Sequence, residues 1–212
     1  MENIEVITRY FDLTESQRSA FEALGTLYPQ WNAAINVISR KDIGNLYTNH
    51  ILHSLAIARF LGPLAPGSSF IDMGTGGGFP GIPLAIMYPQ CRFHLVDRIA
   101  KKLRVASSIA GELGLDNVTI QHGDILECKQ KVDYVVSRAV MQLDGLLRLV
   151  SRNIARPGTP GNRYSPGLIC LKGGDLTEEI AAVHRYSVAD FPLNEFFNED
   201  FFSTKSLIYV PI

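Results

Sequence analysis

The sequence predicts an α/β fold, a mostly parallel sheet with an antiparallel edge, preceded by a helical extension. Three observations carry this. From Ser68 to Lys172, short apolar runs rich in β-branched and aromatic residues alternate with longer runs of helical period, as right-handed βαβ units around a parallel sheet require. A glycine cluster in FIDMGTGGGFPGIPLAI, Phe70 to Ile86, joins the first such strand to the first such helix. The tail then breaks the rhythm: DFPLNEFF, a short NED break and STKSLIYVPI read as a hairpin, hence an antiparallel edge.

Taken in order, residues 1–66 form the helical N-terminal extension and residues 67–212 the α/β domain. In LTESQRSAFEALGTLY, Thr14 caps an acid-bearing first turn, and Leu13, Phe21, Leu24 and Leu27 make an apolar stripe; Pro29 is predicted to end this helix. NLYTNHILHSLAIARFLG places Leu46, Ile51, Leu55, Ile57 and Ala58 largely on one side, with Gly62-Pro63 as its stop. After the linker GPLAPGSS come the strands SFIDM, RFHLVD, NVTIQH, VDYVVS and LICLK. The helices are IPLAIMY, IAKKLRVASSIAGELG, VMQLDGLLRLVSRNI and LTEEIAAVHRY. RPGTPGNRYSPG reads as a mobile connection before the fifth strand. No internal repeat is visible.

Composition narrows the function classes. A chain of 212 residues with 46% hydrophobic and 19% charged residues buries one sizeable core. At a formal net charge of -1, a nucleic-acid partner has to be held by a local basic patch. Cys91, Cys128 and Cys170 are odd in number and lack metal or redox spacing, so they read as buried thiols. The first residues, MENIEVITRYFDL, lack the basic and apolar blocks of a signal peptide, and no apolar run is long enough to span a membrane. A soluble cytoplasmic protein is expected, and a monomer, since no interface is evident.

Placed between a strand and a helix, the glycines bare backbone N–H groups at a helix N-terminus and let a ligand come close. The pattern G-x-G-x-x-G is met by Gly76, Gly78 and Gly81, with Asp97 about 20 residues further on, which by itself favours NAD. Two details turn the reading. If the strand ends at Asp72-Met73, the turn starts at Gly74 and Phe79 falls where the third glycine belongs. Asp72 then repels a pyrophosphate and favours a cationic ligand. S-adenosylmethionine, with a sulfonium, an amino group and no phosphate, fits that field, and Asp97 suits its ribose hydroxyls. The bland alternative is a tight turn without a ligand, with Asp97 as a helix cap. In GDILE, Ile125 and Leu126 either flank an adenine or belong to the core.

These residues resemble a known family, the bacterial small-subunit ribosomal RNA methyltransferase RsmG, formerly GidB. The resemblance spans nearly the whole chain and is sharpest in FIDMGTGGGFPGIPLAI, LVDRIAKKLR, ELGLDNV, VVSRAV and LICLKGG. It implies a class I, Rossmann-like methyltransferase with a seven-stranded sheet and S-adenosylmethionine as donor. It also implies, as acceptor, ring nitrogen 7 of a guanine in the decoding-region loop of 16S rRNA, guanosine 527 in standard rRNA numbering. By the resemblance Gly74 and Phe79 take donor-binding positions, Ile125 and Leu126 the adenine side, and Arg138 the arginine of the S-R-A segment. Three positions depart from the family's pattern: Asp124 and Lys102 stand where arginine is common, and His53 where an acid is usual. Asp124 weakens any phosphate contact made by the family's arginine.

The chemistry is consistent with that acceptor. A guanine ring nitrogen 7 carries a lone pair and loses no proton, so positioning replaces a general base. After the fourth strand stands Ser137-Arg138-Ala139, not the D/N-P-P-Y of amino-group methyltransferases, and no Pro-Cys serves attack at a pyrimidine carbon. Arg138 is the candidate catalytic residue, holding the donor carboxylate or an RNA phosphate; a buried structural ion pair is the alternative. Arg98, Lys101 and Lys102, with Arg104 beside them, and Lys172 are candidate RNA contacts or else a solvated face. His50 and His53 lack a third ligand and read as a packed pair, not a metal site. Trp31 and the Phe196-Phe197 and Phe201-Phe202 pairs read as packing rather than base-stacking platforms. Two other functions compete, an NAD-dependent oxidoreductase and a catalytically idle RNA-binding assembly protein.

Overall fold

The computed structural model describes residues 2–212. Its extension opens with a short helix α1 (Glu5–Thr8) and a long helix α2 (Glu15–Ala34). A capping box starts α2: Thr14 Oγ1 accepts from the Gln17 N–H at 3.3 Å, and Gln17 Oε1 accepts from the Thr14 N–H at 2.9 Å. Pro29 does not end this helix, contrary to expectation. The turn before it carries Gly25, which makes room for Tyr47, and the Tyr47 hydroxyl donates to the Phe21 carbonyl at 3.1 Å. Packing on the buried Leu24 and Tyr28 holds the helix through the proline. The next helical piece starts as a wide π-helical segment, Leu46–Leu52, and continues as α3 (His53–Leu61), closed by Gly62 at φ 67°.

The α/β part runs β1 (Ser69–Met73), α4 (Gly81–Met87), β2 (Arg92–Asp97), α5 (Ala100–Glu112), β3 (Val118–His122) and β4 (Tyr134–Arg138). It continues with α6 (Leu143–Val150), β5 (Gly167–Gly173), α7 (Thr177–Ala181), β6 (Ala189–Pro192) and β7 (Lys205–Pro211). The seven strands lie in the order β3-β2-β1-β4-β5-β7-β6. The first five pair in parallel, while β7 is antiparallel to both β5 and β6, as the tail hairpin predicts. This is the class I methyltransferase arrangement. The order reverses between β1 and β4, so a crevice opens at the carboxyl ends of those strands.

Alternate residues feed two cores. Phe70, Phe93, Leu95, Tyr134 and Val136 pack with α2, α3, α4 and α5 on one face, while Ile71, Val96, Val135 and Leu168 meet α6 on the other. The extension thus shares its core with the sheet, and the boundary near residue 66 marks a change of architecture rather than a gap in packing.

Two further expectations change. The helix expected from Val140 starts only at Leu143, because Ala139 at φ 53° turns the chain away and leaves Val140 and Met141 exposed. The loop RPGTPGNRYSPG is pinned rather than loose. Asn162 Oδ1 accepts from the Ala65 N–H at 2.9 Å, Tyr134 donates to the Tyr164 carbonyl at 2.7 Å, and Phe60 stacks on Tyr164 at 4.2 Å.

Candidate active site

β1 ends at Met73 and the chain turns at once, with Gly74, Gly76 and Gly78 at φ 71°, 57° and 106°. The three glycines answer three different needs. A Cβ at Gly74 would strike Val140 Cγ2 at 2.6 Å, and one at Gly78 would strike Ile82 Cγ1 at 2.6 Å, so both permit protein packing. Gly76 alone is open, its nearest neighbour Lys102 Cδ at 3.9 Å, and it borders the cavity.

Asp72 lies beneath this loop, 1% exposed, and does not border the cavity. Its Oδ2 accepts from the Thr75 hydroxyl at 2.6 Å and the Gly81 N–H at 2.8 Å, while Oδ1 has no hydrogen-bond partner among the described residues. The expected direct contact with a ligand is thereby corrected to a clasp that closes the turn from below. Burial pushes this carboxyl up to about 7 despite those hydrogen bonds and the Arg138 guanidinium nearby.

On the opposite lip, at the end of β2, Asp97 Oδ2 accepts from the Gly76 N–H at 2.7 Å and Oδ1 from the Ile99 N–H at 2.8 Å. One carboxylate thus joins the glycine turn to the start of α5. Ile125 is buried and lines the cavity, but Leu126 is 51% exposed and lies outside it. Asp124 caps the Leu126 N–H at 2.9 Å and pairs with Arg98, which lies at the cavity mouth. Lys102 lines the cavity, whereas Lys101 and Arg104 are exposed beyond it. Lys172 leaves the set of candidate RNA contacts: its ammonium pairs with the shielded Glu179 and donates to the Met141 carbonyl at 2.9 Å.

Arg138 closes the third side, at the end of β4. It donates to the Asn49 carbonyl at 3.3 Å and to His50 Nδ1 at 3.1 Å, and its guanidinium lies 4.9 Å from the Phe79 ring centre. Phe79 stacks in turn on Tyr28 at 4.5 Å. His50 Nε2 donates to Asp42 Oδ2 at 2.7 Å. Burial and the adjacent guanidinium push His50 down to about 4, so the neutral ring accepts from Arg138 on one nitrogen and donates to Asp42 with the other. Burial lowers Arg138 itself only to about 10, and it stays cationic at neutral pH. Among the described residues no carboxylate forms an ion pair with Arg138, so the buried ion pair weighed for it is absent.

The extension therefore builds one wall of the site. Tyr28 donates to the Gly77 carbonyl at 3.0 Å, Val37 packs so closely that a Cβ on Gly77 would meet it at 2.7 Å, and Asp42 and His50 hold Arg138. Sequence reasoning missed all four, because no spacing links residues of a helical extension to a strand end far along the chain. The two histidines do not form a metal site, and no cluster of three or more metal-ligating groups occurs among the described residues.

Together these walls enclose a cavity of about 540 Å³ bordered by Gly76, Phe79, Asp97, Ile125 and Arg138. A second cavity of about 740 Å³ shares Arg138 and Ala139 to Met141 with it.

Residues 17–189 match the family described as GidB, rRNA small subunit methyltransferase G. The chain is 53% identical over 210 residues to the ribosomal RNA small subunit methyltransferase G of Bacteroides fragilis (strain YCH46), covering 99% of this chain and 92% of that one. It is 45% identical to the protein of that name from Christiangramia forsetii, covering 99% and 97%. Among solved structures it is similar to a SAM dependent methyltransferase from Aquifex aeolicus, with TM-score 0.57 and 15% identity over 82% of this chain and 98% of that one. It is also similar to Aeropyrum pernix fibrillarin in complex with natively bound S-adenosyl-L-methionine, with TM-score 0.52 and 14% identity over 74% and 73%. The structural likenesses concern the fold.

Proposed function

This chain belongs to the rRNA small subunit methyltransferase G family, and from that premise we propose that it methylates ring nitrogen 7 of a guanine in 16S rRNA. The donor is S-adenosylmethionine, and the NAD reading falls with the family match. In this reading the protein works in the cytoplasm as a monomer. Among the described residues the exposed large apolar side chains are Ile99, Val140 and Met141, which line the cavity, and Leu126, which lies outside it.

The residues at the crevice fit the donor. Gly76 leaves bare backbone where a side chain would intrude, and Asp97 keeps lone pairs for ribose hydroxyls after accepting two N–H bonds. Ile125 offers apolar surface for a purine. When bound, S-adenosylmethionine supplies an electrophilic methyl carbon on a sulfonium. The protein's part is to align acceptor and donor, and a nitrogen with a free lone pair asks for no base. The acids at the crevice are otherwise engaged, Asp97 by backbone and Glu179 by Lys172.

One observation carries this reading: Arg138, a cation without an ion-paired carboxylate among the described residues, forms the wall common to both cavities. A guanidinium there has free donors for the donor's carboxylate or an RNA phosphate. The test uses small subunits from a deletion strain, incubated with the purified protein and labelled donor. Label on ring nitrogen 7 of a single 16S guanine is expected; label on another base or none refutes the reading.

A further inference from the structure

The second cavity lies between the ends of β4 and β5 and the start of β7, beyond the Ala139–Met141 turn from the first. Two of its groups lack partners among the described residues. His53 is 6% exposed and its Nε2 has no hydrogen-bond partner, although the ring lines this cavity. Lys205 makes no ion pair among the described residues, and its ammonium lies 5.0 Å from the centre of the Phe201 ring. Phe201 itself meets His53 edge-on at 5.3 Å. A buried polar atom without a partner, on a residue that lines a cavity, needs a reason, since leaving it unpaired is costly.

The protonation of His53 is set by its surroundings. Its other ring nitrogen bonds the Asn49 carbonyl, and burial beside Arg138 and Lys205 holds the imidazole well below its ordinary range. Nε2 is therefore a lone-pair acceptor and a poor proton acceptor. Beside Arg138 and the paired Lys172 and Glu179, the cavity presents a neutral acceptor, an unpaired ammonium donor and an aromatic face.

We propose that this cavity receives the acceptor guanine, with His53 Nε2 accepting from the N–H groups of its Watson–Crick edge, Lys205 donating to O6, and Phe201 packing on the ring. Guanine carries N1–H and N2–H donors beside the O6 acceptor; adenine turns a bare ring nitrogen to that edge, which would face the His53 lone pair. Ring nitrogen 7 stands on the adjoining edge, beside O6, so a base held by its Watson–Crick edge in the second cavity can turn that nitrogen toward the wall shared with the first cavity. The assignment rests on reading the chain as a guanine methyltransferase and adds which residues select the base.

The test compares full-length variants on small subunits from a deletion strain. His53→Ala should slow methyl transfer about 30-fold and Lys205→Met about tenfold, with affinity for S-adenosylhomocysteine within about twofold of wild type by calorimetry. His53→Gln, which restores an acceptor oxygen, should recover most of the rate. Three results would overturn the proposal: full activity of His53→Ala, a parallel loss of S-adenosylhomocysteine affinity, or a glutamine variant no better than alanine. A wild-type protein that leaves guanine unmethylated overturns this proposal and the reading beneath it; an active wild type with an indifferent His53→Ala overturns this proposal alone.

Discussion

The turns after β1 and β4 leave the same edge of the same sheet and border the same cavity, yet they are held in opposite ways. The glycine turn is tied mostly to neighbours in sequence and to the adjacent strand, through Asp72 to Thr75 and Gly81 and through Asp97 to Gly76. The turn after β4 bends at Ala139 with φ 53° and depends on distant parts of the chain. Lys172 grips the Met141 carbonyl, and Asn49, His50 and Phe79 hold Arg138. A binding surface built from local backbone constraint thus faces one assembled from tertiary contacts, and the two should fail differently.

Changing the assembled wall should produce the largest effect. Arg138→Met removes a cation from both cavities and should lower the methyl-transfer rate about 1,000-fold, with S-adenosylhomocysteine affinity falling about tenfold by calorimetry. Equal losses in both would place this arginine wholly on the donor. Lys172→Met tests the other prop: it leaves Glu179 shielded without its partner and should cost about 3 kcal/mol in urea unfolding, with affinity for small subunits unchanged. Weakened binding at full stability would restore Lys172 as an RNA contact.

The glycine turn should respond in binding rather than stability. Gly76→Asp places a side chain and a negative charge where no protein atom lies closer than 3.9 Å, so S-adenosylhomocysteine affinity should drop about 100-fold. The positive φ adds about 1 kcal/mol of strain, a small shift in melting temperature. Retained affinity would disprove this placement of the ligand.

The smallest effect concerns the clasp under that turn. The Asp72 carboxyl is easier to protonate folded than unfolded, so its contribution to stability is fullest below the ordinary carboxylate range and is lost as pH climbs through about 7. Asp72→Asn keeps an acceptor for the Gly81 N–H and cannot ionise. Between about pH 4 and pH 7 the wild type should lose stability relative to this variant, measured by denaturant titration at several pH values. A pH dependence common to both proteins would assign it to another group.

Much of this architecture was legible from the chain itself. Alternating strand and helix periods, Gly62-Pro63 and the tail pattern locate the elements, because periodicity and turn chemistry are local. The glycine cluster and Asp97 likewise point to one lip of the cavity, since bare backbone at a strand end requires glycine nearby. Local rules failed where distant packing outweighed them, at Pro29, at the late start of α6 and at Asp72, whose carboxyl turns under the loop and away from the cavity.

What the tertiary structure alone decided is the company each charge keeps. Lys172 and Arg138 are both basic residues at strand ends, yet the fold gives the first a carboxylate and the second a histidine, a carbonyl and a phenyl ring. The turns at glycines such as Gly62 and Gly74 follow from the chain alone, because φ preference belongs to single residues and their immediate neighbours. Which charges stay free for a ligand was set only when helices far back in the chain came to rest against the ends of β4 and β5, because pairing depends on distances that spacing along a chain does not fix.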